Sequence, residues 1–344
     1  MTQDFTIVGA GAIGAIAGVH LMRAGHGVEY IESNRAHVAA IRERGLRLTG
    51  AIEAVVWPRV MLPEEAGPLR HVLLAVKSRH SEEALKTIAP LLAAGGYVAS
   101  LQNGLEEYKI ARAVGTERTI GAFLTFGGHY REPGLVVYGG PGSFRIGELD
   151  GSTTPRLQAL RTALASLQPV EITSNIFGCL WAKMSLGAIY NATALVSVDV
   201  TEQYAEARYR ALFGRLCGEV VAVADAAGVR CEPFDGFDPG AFRPGAPVDE
   251  AAIAASWEGQ RRYWSRHGPG AQRTGVWRDL AIHKRKTEID EMTGAVRKVA
   301  QERGVETKLL DALTAMVHEV EDGKRALGAR NLDELARAGA PATE

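Results

Sequence analysis

The chain has few cysteines, no dominant charge and no long apolar run, and each absence narrows what it can be. Its three cysteines, Cys179, Cys217 and Cys231, have neither metal-ligand nor redox spacing. An odd count without a framework points to ordinary buried thiols in a reducing compartment. The formal net charge of −1 leaves no basic footprint for nucleic acid and no acidic tail. No basic segment leads into a long apolar one at the N-terminus, and no stretch reaches membrane-spanning length. Internal repeats and low-complexity tracts are missing too. These absences predict a cytoplasmic protein with no nucleic-acid or membrane partner. What is present is bulk: 344 residues, 46% hydrophobic, enough for two domains.

The most informative local feature is a β-rich run, Phe5 to Val8, that enters Gly9-Ala10-Gly11-Ala12-Ile13-Gly14. Each glycine has its own task in such a turn. Gly9 permits the bend out of the strand, Gly11 lets backbone approach a pyrophosphate, and Gly14 lets the next helix pack closely on the sheet. The context is that of a dinucleotide fingerprint: a strand before it, a small-residue helix from Ala15 to Ala24 after it, then a second strand ending at Glu32.

Strand-like and helix-like segments alternate through the first half, which predicts a mostly parallel sheet. Strand signals vanish from Asn175 onward, and helices are expected at about 176–197, 203–227, 280–304 and 307–323. The reading is therefore α/β followed by all-α: a dinucleotide-binding domain over 1–172, a helical domain over 173–332 and a tail over 333–344. Residues 232–274 read as an irregular insertion, with Pro and Gly first and then Trp257, Arg261, Arg262, Tyr263, Trp264, Arg266 and His267.

In open parallel sheets ligands bind beyond the C-terminal strand ends. Three such ends carry polar residues: Glu32, Lys77 and Asn103-Gly104. Glu32 follows Gly14 by 18 positions, near the spacing of an acid that binds the ribose 2′-hydroxyl. That favours NAD over NADP, although Arg35 is placed to accept a 2′-phosphate. In the second half Lys183, Gly187 and Asn191 fall at four-residue intervals on one face of an otherwise apolar helix. A half-buried lysine there suits general acid–base work. Lys284 to Asp290 reads as a charged run on a second long helix, and alone such a run is usually a solvated face.

Together these segments resemble the ketopantoate reductases and their 2-hydroxyacid dehydrogenase relatives. The matching elements are residues 9–14, Ala75-Val76-Lys77-Ser78, Leu101-Gln102-Asn103-Gly104, Trp181-Ala182-Lys183 with Asn191, and Thr287-Glu288-Ile289-Asp290. They run in the family's order along most of the chain. The resemblance implies a Rossmann-type domain followed by an all-helical one, and reduction of a 2-oxo acid by NAD(P)H. It implies that Lys183 is the general acid and Glu288 the carboxylate that orients substrate and lysine. Asn103 and Lys77 would then lie beside the nicotinamide, and Asn191 would bind substrate. A homodimer through the helical domain is the expected assembly.

Two departures from the family pattern bear on the substrate. Gly187 stands where a second substrate-binding asparagine is usual. Gly275-Val276-Trp277-Arg278-Asp279 replaces a Ser-Met-x-Gln-Asp segment, leaving Thr274 as the candidate for the missing serine. Lost hydrogen bonds of this kind shift specificity by large factors, so ketopantoate itself is not the favoured substrate. The aromatic and arginine side chains of 232–274 suggest a lid that binds a carboxylate. An opine- or β-hydroxyacid-type dehydrogenase, or a non-catalytic dinucleotide sensor, is the alternative.

Overall fold

A computed structural model describes residues 3–268 and 270–339. It divides into two compact units between Ile176 and Phe177.

The first unit is built on an eight-stranded sheet. Its strands are β1 (Asp4–Val8), β2 (Gly27–Ile31), β5 (Arg59–Met61), β6 (Leu69–Leu74), β7 (Leu92–Ser100), β8 (Thr119–Leu124), β11 (Phe144–Glu148) and β12 (Glu171–Ile172), in the order β12-β11-β8-β7-β6-β1-β2-β5. All neighbours are parallel except β8 and β11. The segments 46–60 and 128–138 do more than fill connections. They supply β3 (Leu46–Gly50), β4 (Ala54–Val56), β9 (Gly128–Glu132) and β10 (Leu135–Tyr138), which form a separate four-stranded sheet through the parallel pair β3–β10. Pairing across nearly ninety residues leaves no local trace in sequence.

Helix α1 (Ala12–Arg23) touches both sheets, and Gly14 through Val19 are all buried. Its small residues are what a helix needs when backbone closes on it from two sides. The other connections are α2 (Arg35–Arg44), α3 (Ser81–Leu91), α4 (Glu107–Val114) and α5 (Pro155–Leu164). Apolar clusters cover both faces of the large sheet, one around Ile7, Leu73 and Ile146, the other around Val8, Leu74 and Ile110. That two-sided burial explains why the central strands read as continuous apolar runs.

The second unit is helical: α6 (Ile176–Thr193), α7 (Val200–Ala205), α8 (Ala207–Ala226), α9 (Glu250–Ser265), α10 (Gly275–Arg278), α11 (Thr293–Arg303), α12 (Lys308–Glu321) and α13 (Ala329–Ala338). Its core runs along α8, whose Leu212, Phe213, Leu216 and Val220 are fully buried, with α11, α12 and α13 packed against it. Among the described residues no helix is long and apolar enough to cross a membrane.

Three expectations are corrected here. The insertion 232–274 contains the regular helix α9, capped by Asp249, whose carboxylate accepts from Ala252 N at 2.9 Å. Its Trp257 and Trp264 are buried against Tyr204 and Tyr190, whereas Arg261, Arg262 and Arg266 face solvent. Trp257 and Trp264 are therefore core, whereas Tyr263 lies at the surface. The tail expected from 333 is helical through Ala338 and packs on α12, with Leu335 buried; residues 340–344 lie outside the described residues. The charged run 284–290 is not helical. A π-helical turn over Asp279–His283 ends at Lys284 in the left-handed conformation, φ 50°, and a turn follows.

Candidate active site

At the end of β1 the three glycines meet three different demands. Gly9 has φ +98°, and a Cβ there would lie 2.9 Å from the backbone nitrogen of Val76. A Cβ on Gly14 would lie 2.0 Å from the Gly9 carbonyl oxygen, so the helix start and the turn touch backbone to backbone. Gly11 is the opposite case: nothing among the described residues comes within 4 Å of its would-be Cβ. The strand exit is therefore tight, the helix packing tight, and the side facing outward open. The half-buried Ala12 and Ile13 begin α1 at that opening, where the first N–H groups have no partner within the helix and the dipole is positive. This geometry fits a pyrophosphate.

Glu32 follows β2 directly, half-buried. One carboxylate oxygen accepts from Ala10 N and the other from Asn34 N, each at 2.8 Å. The acid at the second strand end thus also buttresses the glycine turn. Arg35, the first residue of α2, points instead to Glu64, 2.6 Å away in a well exposed pair. Such pairs are weak, and Arg35 is easily drawn off by a stronger anion.

Lys77 and Asn103 are exposed on the loops after β6 and β7. Those loops are tied together. Ser78 Oγ donates to the Asn103 carbonyl at 2.8 Å, and Gln102 Nε2 donates to both Val76 O and Ser81 Oγ at 2.8 Å. Because β1 lies between β2 and β6, the chain leaves β1 in opposite directions, the switch point at which open α/β sheets bind ligands. The structure so gathers Gly9, Gly11, Ala12, Ile13, Gly14, Glu32, Lys77 and Asn103 at or just beyond the C-terminal ends of β1, β2, β6 and β7, with Arg35 at the start of α2.

In the second unit Lys183 is a half-buried residue on a helix whose neighbouring positions are buried. Asn191, buried, donates from Nδ2 to the Gly187 carbonyl at 3.0 Å, along the same stripe. Glu288 is half-buried in the turn before α11, and its carbonyl accepts from Met292 N at 3.0 Å. Met292 Cε sits 2.6 Å from where a Gly187 Cβ would be. The turn of Glu288 and the stripe of Lys183, about a hundred residues apart, are thereby brought against each other. Thr274 is buried and caps α10, its hydroxyl oxygen accepting from Trp277 N at 3.1 Å.

The Glu288 turn is held from α12. Glu321 Oε1 accepts from both Thr287 N and Thr287 Oγ1 at 2.7 Å, while Glu321 Oε2 pairs with His318 Nδ1 at 3.0 Å. His318 Nε2 reaches Asp290 at 3.0 Å. Burial alone would lower the His318 pKa, but the carboxylates of Glu321 and Asp290 more than offset it and hold it above the ordinary value. Burial would raise Glu321, yet the Thr287 donors and His318 hold its carboxyl below the usual range. Neither residue stands out in sequence, although a His and a Glu three apart on a helix next to a candidate site is a signal worth reading. Met292 carries no such signal. All three cysteines are buried, and burial pushes Cys231 up to about 12, so that thiol offers no nucleophile at neutral pH.

Both units match known proteins. The model of the ketopantoate reductase PanE/ApbA family matches residues 5–151, and that of the family's C-terminal part matches residues 175–321. A 2-dehydropantoate 2-reductase of Mesorhizobium japonicum is 28% identical over 346 residues, spanning 92% of this chain and 98% of that protein. The structure of a PanE/ApbA family ketopantoate reductase from Ralstonia eutropha JMP134 is 28% identical, with a TM-score of 0.76 over 93% of this chain and 99% of that one. D-mandelate dehydrogenase, solved with NADH and anilino(oxo)acetate, shares the fold, with a TM-score of 0.80 at 23% identity over 94% and 99% of the two chains. Matched in order in both of its units, the chain belongs to the ketopantoate reductase family.

Proposed function

We propose that the protein is an NAD(P)-dependent oxidoreductase that interconverts a 2-oxo acid and a 2-hydroxy acid. The observation that carries this reading is the meeting of the Lys183 stripe with the Glu288 turn, in a chain whose first unit holds an open glycine turn. The nicotinamide, when bound, supplies or accepts the hydride. Gly9 to Gly14 would hold the pyrophosphate, and Lys77 and Asn103 would flank the ring. Lys183 would give its proton to the carbonyl oxygen as that oxygen becomes an alkoxide, and its positive charge would stabilise the same atom. Glu288 would orient lysine and substrate; Asn191, Asn103 and Thr274 would hold the acid.

NAD is the cofactor we favour over NADP, because the Glu32 carboxylate at the end of β2 would face a 2′-phosphate with like charge. A homodimer through the helical unit is part of the same reading, testable by light scattering. The deciding experiment is Lys183→Ala with a panel of 2-oxo acids. Loss of turnover by about 10²- to 10⁴-fold, with dinucleotide binding retained, is expected. Turnover at the wild-type rate would refute the acid role, and absence of turnover in the wild type would favour a dinucleotide sensor.

A further inference from the structure

Ala10, inside the glycine turn, is buried, and side chains from two elements hold its backbone. Its N–H donates to Glu32 Oε2 at 2.8 Å, at the end of β2. Its carbonyl meets His37 Nε2 at 2.9 Å, from the first turn of α2. The other ring nitrogen, Nδ1, accepts from Gly134 N at 2.9 Å, in the turn between β9 and β10. A backbone N–H only donates and a carbonyl only accepts, so the tautomer is fixed: Nδ1 is bare and Nε2 carries the proton. His37 is 1% exposed, and Tyr130 of β9 packs edge-on against it at 5.1 Å. The two anchors are themselves joined through Asn34, whose N–H donates to Glu32 Oε1 at 2.8 Å and whose Oδ1 accepts from His37 N at 3.2 Å. Ala10, Glu32, Asn34 and His37 thus close a hydrogen-bonded circuit.

We propose that His37 is a positioning residue for dinucleotide binding, which aims the Gly11 N–H toward the place of the pyrophosphate. The assignment rests on the oxidoreductase reading above. The peptide unit from Ala10 to Gly11 is planar and trans, so its N–H points opposite to its C=O. A bond that draws the Ala10 carbonyl onto His37 therefore turns the Gly11 N–H away from that buried ring. Gly11 is the N-cap of α1, and the space about its would-be Cβ is open. An N–H fixed in direction before the ligand arrives spares part of the ordering cost of gripping an anion. Without His37 the buried carbonyl loses its partner, and the peptide is free to turn in search of another.

The test separates the two ring nitrogens. In His37→Gln the side-chain amide reaches as far as Nε2 and keeps a donor for the Ala10 carbonyl. In His37→Asn the shorter side chain keeps an acceptor for Gly134 N and loses the Ala10 bond. Binding is read by fluorescence with NADH and NADPH, and by calorimetry with ADP, which carries the pyrophosphate without the nicotinamide. His37→Asn should weaken all three by about tenfold, while His37→Gln should stay within about threefold of wild type, whatever the melting temperatures of the two variants. A merely structural histidine would instead make affinity follow stability. Wild-type affinity in His37→Asn, or a loss in His37→Gln as large as in His37→Asn, overturns the assignment while leaving the oxidoreductase reading intact. If His37→Asn does not fold, His37→Gln decides alone: retained affinity supports the assignment, and a loss of about tenfold overturns it. A wild type that binds neither dinucleotide nor ADP overturns that reading and this assignment with it.

Discussion

Removing Glu321 should loosen the turn that carries Glu288, by an amount the structure allows to be worked out. The Glu321 side chain is 1% exposed and takes two donors from Thr287 at 2.7 Å. Hydrogen bonds to a charged acceptor contribute about 1.5–3 kcal/mol each, and a buried N–H left unpaired costs about as much. Glu321→Ala should therefore cost about 3 kcal/mol, which for a unit of this size lowers its melting temperature by about 6–12 °C. Activity should fall further than stability explains if Glu288, the proposed orienting carboxylate beside Thr287, acts as proposed, because misplacing such a group by about 1 Å costs about 10²-fold.

The pH dependence follows from the two shifted groups. His318 is raised, so its contribution is complete below its unfolded value, about 6.5, and is lost as pH rises through the folded value. Glu321 is lowered, so its contribution is complete above its unfolded value, about 4.3, and is lost as pH falls through the folded value. The clamp is strongest between about pH 4.5 and 6.5. Above that window a neutral imidazole has one N–H for two carboxylates. Thermal melts across pH, with kcat/KM measured alongside, test this in wild type, Glu321→Ala and His318→Gln. Unchanged melting and kcat/KM in Glu321→Ala, or identical pH profiles in wild type and His318→Gln, would refute the clamp.

Glu32→Gln keeps an acceptor for the backbone and removes the charge; kcat/KM for NADP relative to NAD should rise by about tenfold, and an unmoved ratio sinks the cofactor reading. Gly14→Ala would put a Cβ 2.0 Å from the Gly9 carbonyl, so a loss of more than about 3 kcal/mol is expected in melting experiments, together with loss of dinucleotide binding. Wild-type behaviour of that variant would contradict the packing described. Glu219 caps α12 from α8, its two oxygens accepting from Leu309 N and Leu310 N at 2.9 Å. Glu219→Ala should cost about 2 kcal/mol by chemical denaturation, and a change below about 0.5 kcal/mol would show that solvent takes over the cap.

The sequence made the first unit's site legible because its signals are local. The glycine turn, Glu32, Lys77 and Asn103 each sit at a strand end, and strand ends are marked by where apolar runs stop. The Lys183 stripe is legible for the same reason, since four-residue spacing on one helix is a local property. What escaped depends on distant partners. Glu288 was expected on a helix because its charged neighbours suit one. Left-handed Lys284 stops the helix, and Glu321, 34 residues beyond Thr287, supplies the acceptor that shapes the turn. Helix α9 was hidden by the Pro- and Gly-rich stretch before it, although Asp249 and the seven-residue spacing of Trp257 and Trp264 were readable. Met292 gains its meaning only from a bare position on another helix.

The carboxylate of Glu32 has two employers. It stands where the ribose would be read, and it also receives the Ala10 N–H that shapes the phosphate turn. Evolving or engineering this scaffold toward the phosphorylated cofactor is therefore an epistatic problem. Deleting the acid frees room for a phosphate and, in the same stroke, unfastens the loop proposed to grip the pyrophosphate. Only paths that keep an acceptor for the Ala10 amide, as Glu32→Gln does, would stay functional at every step.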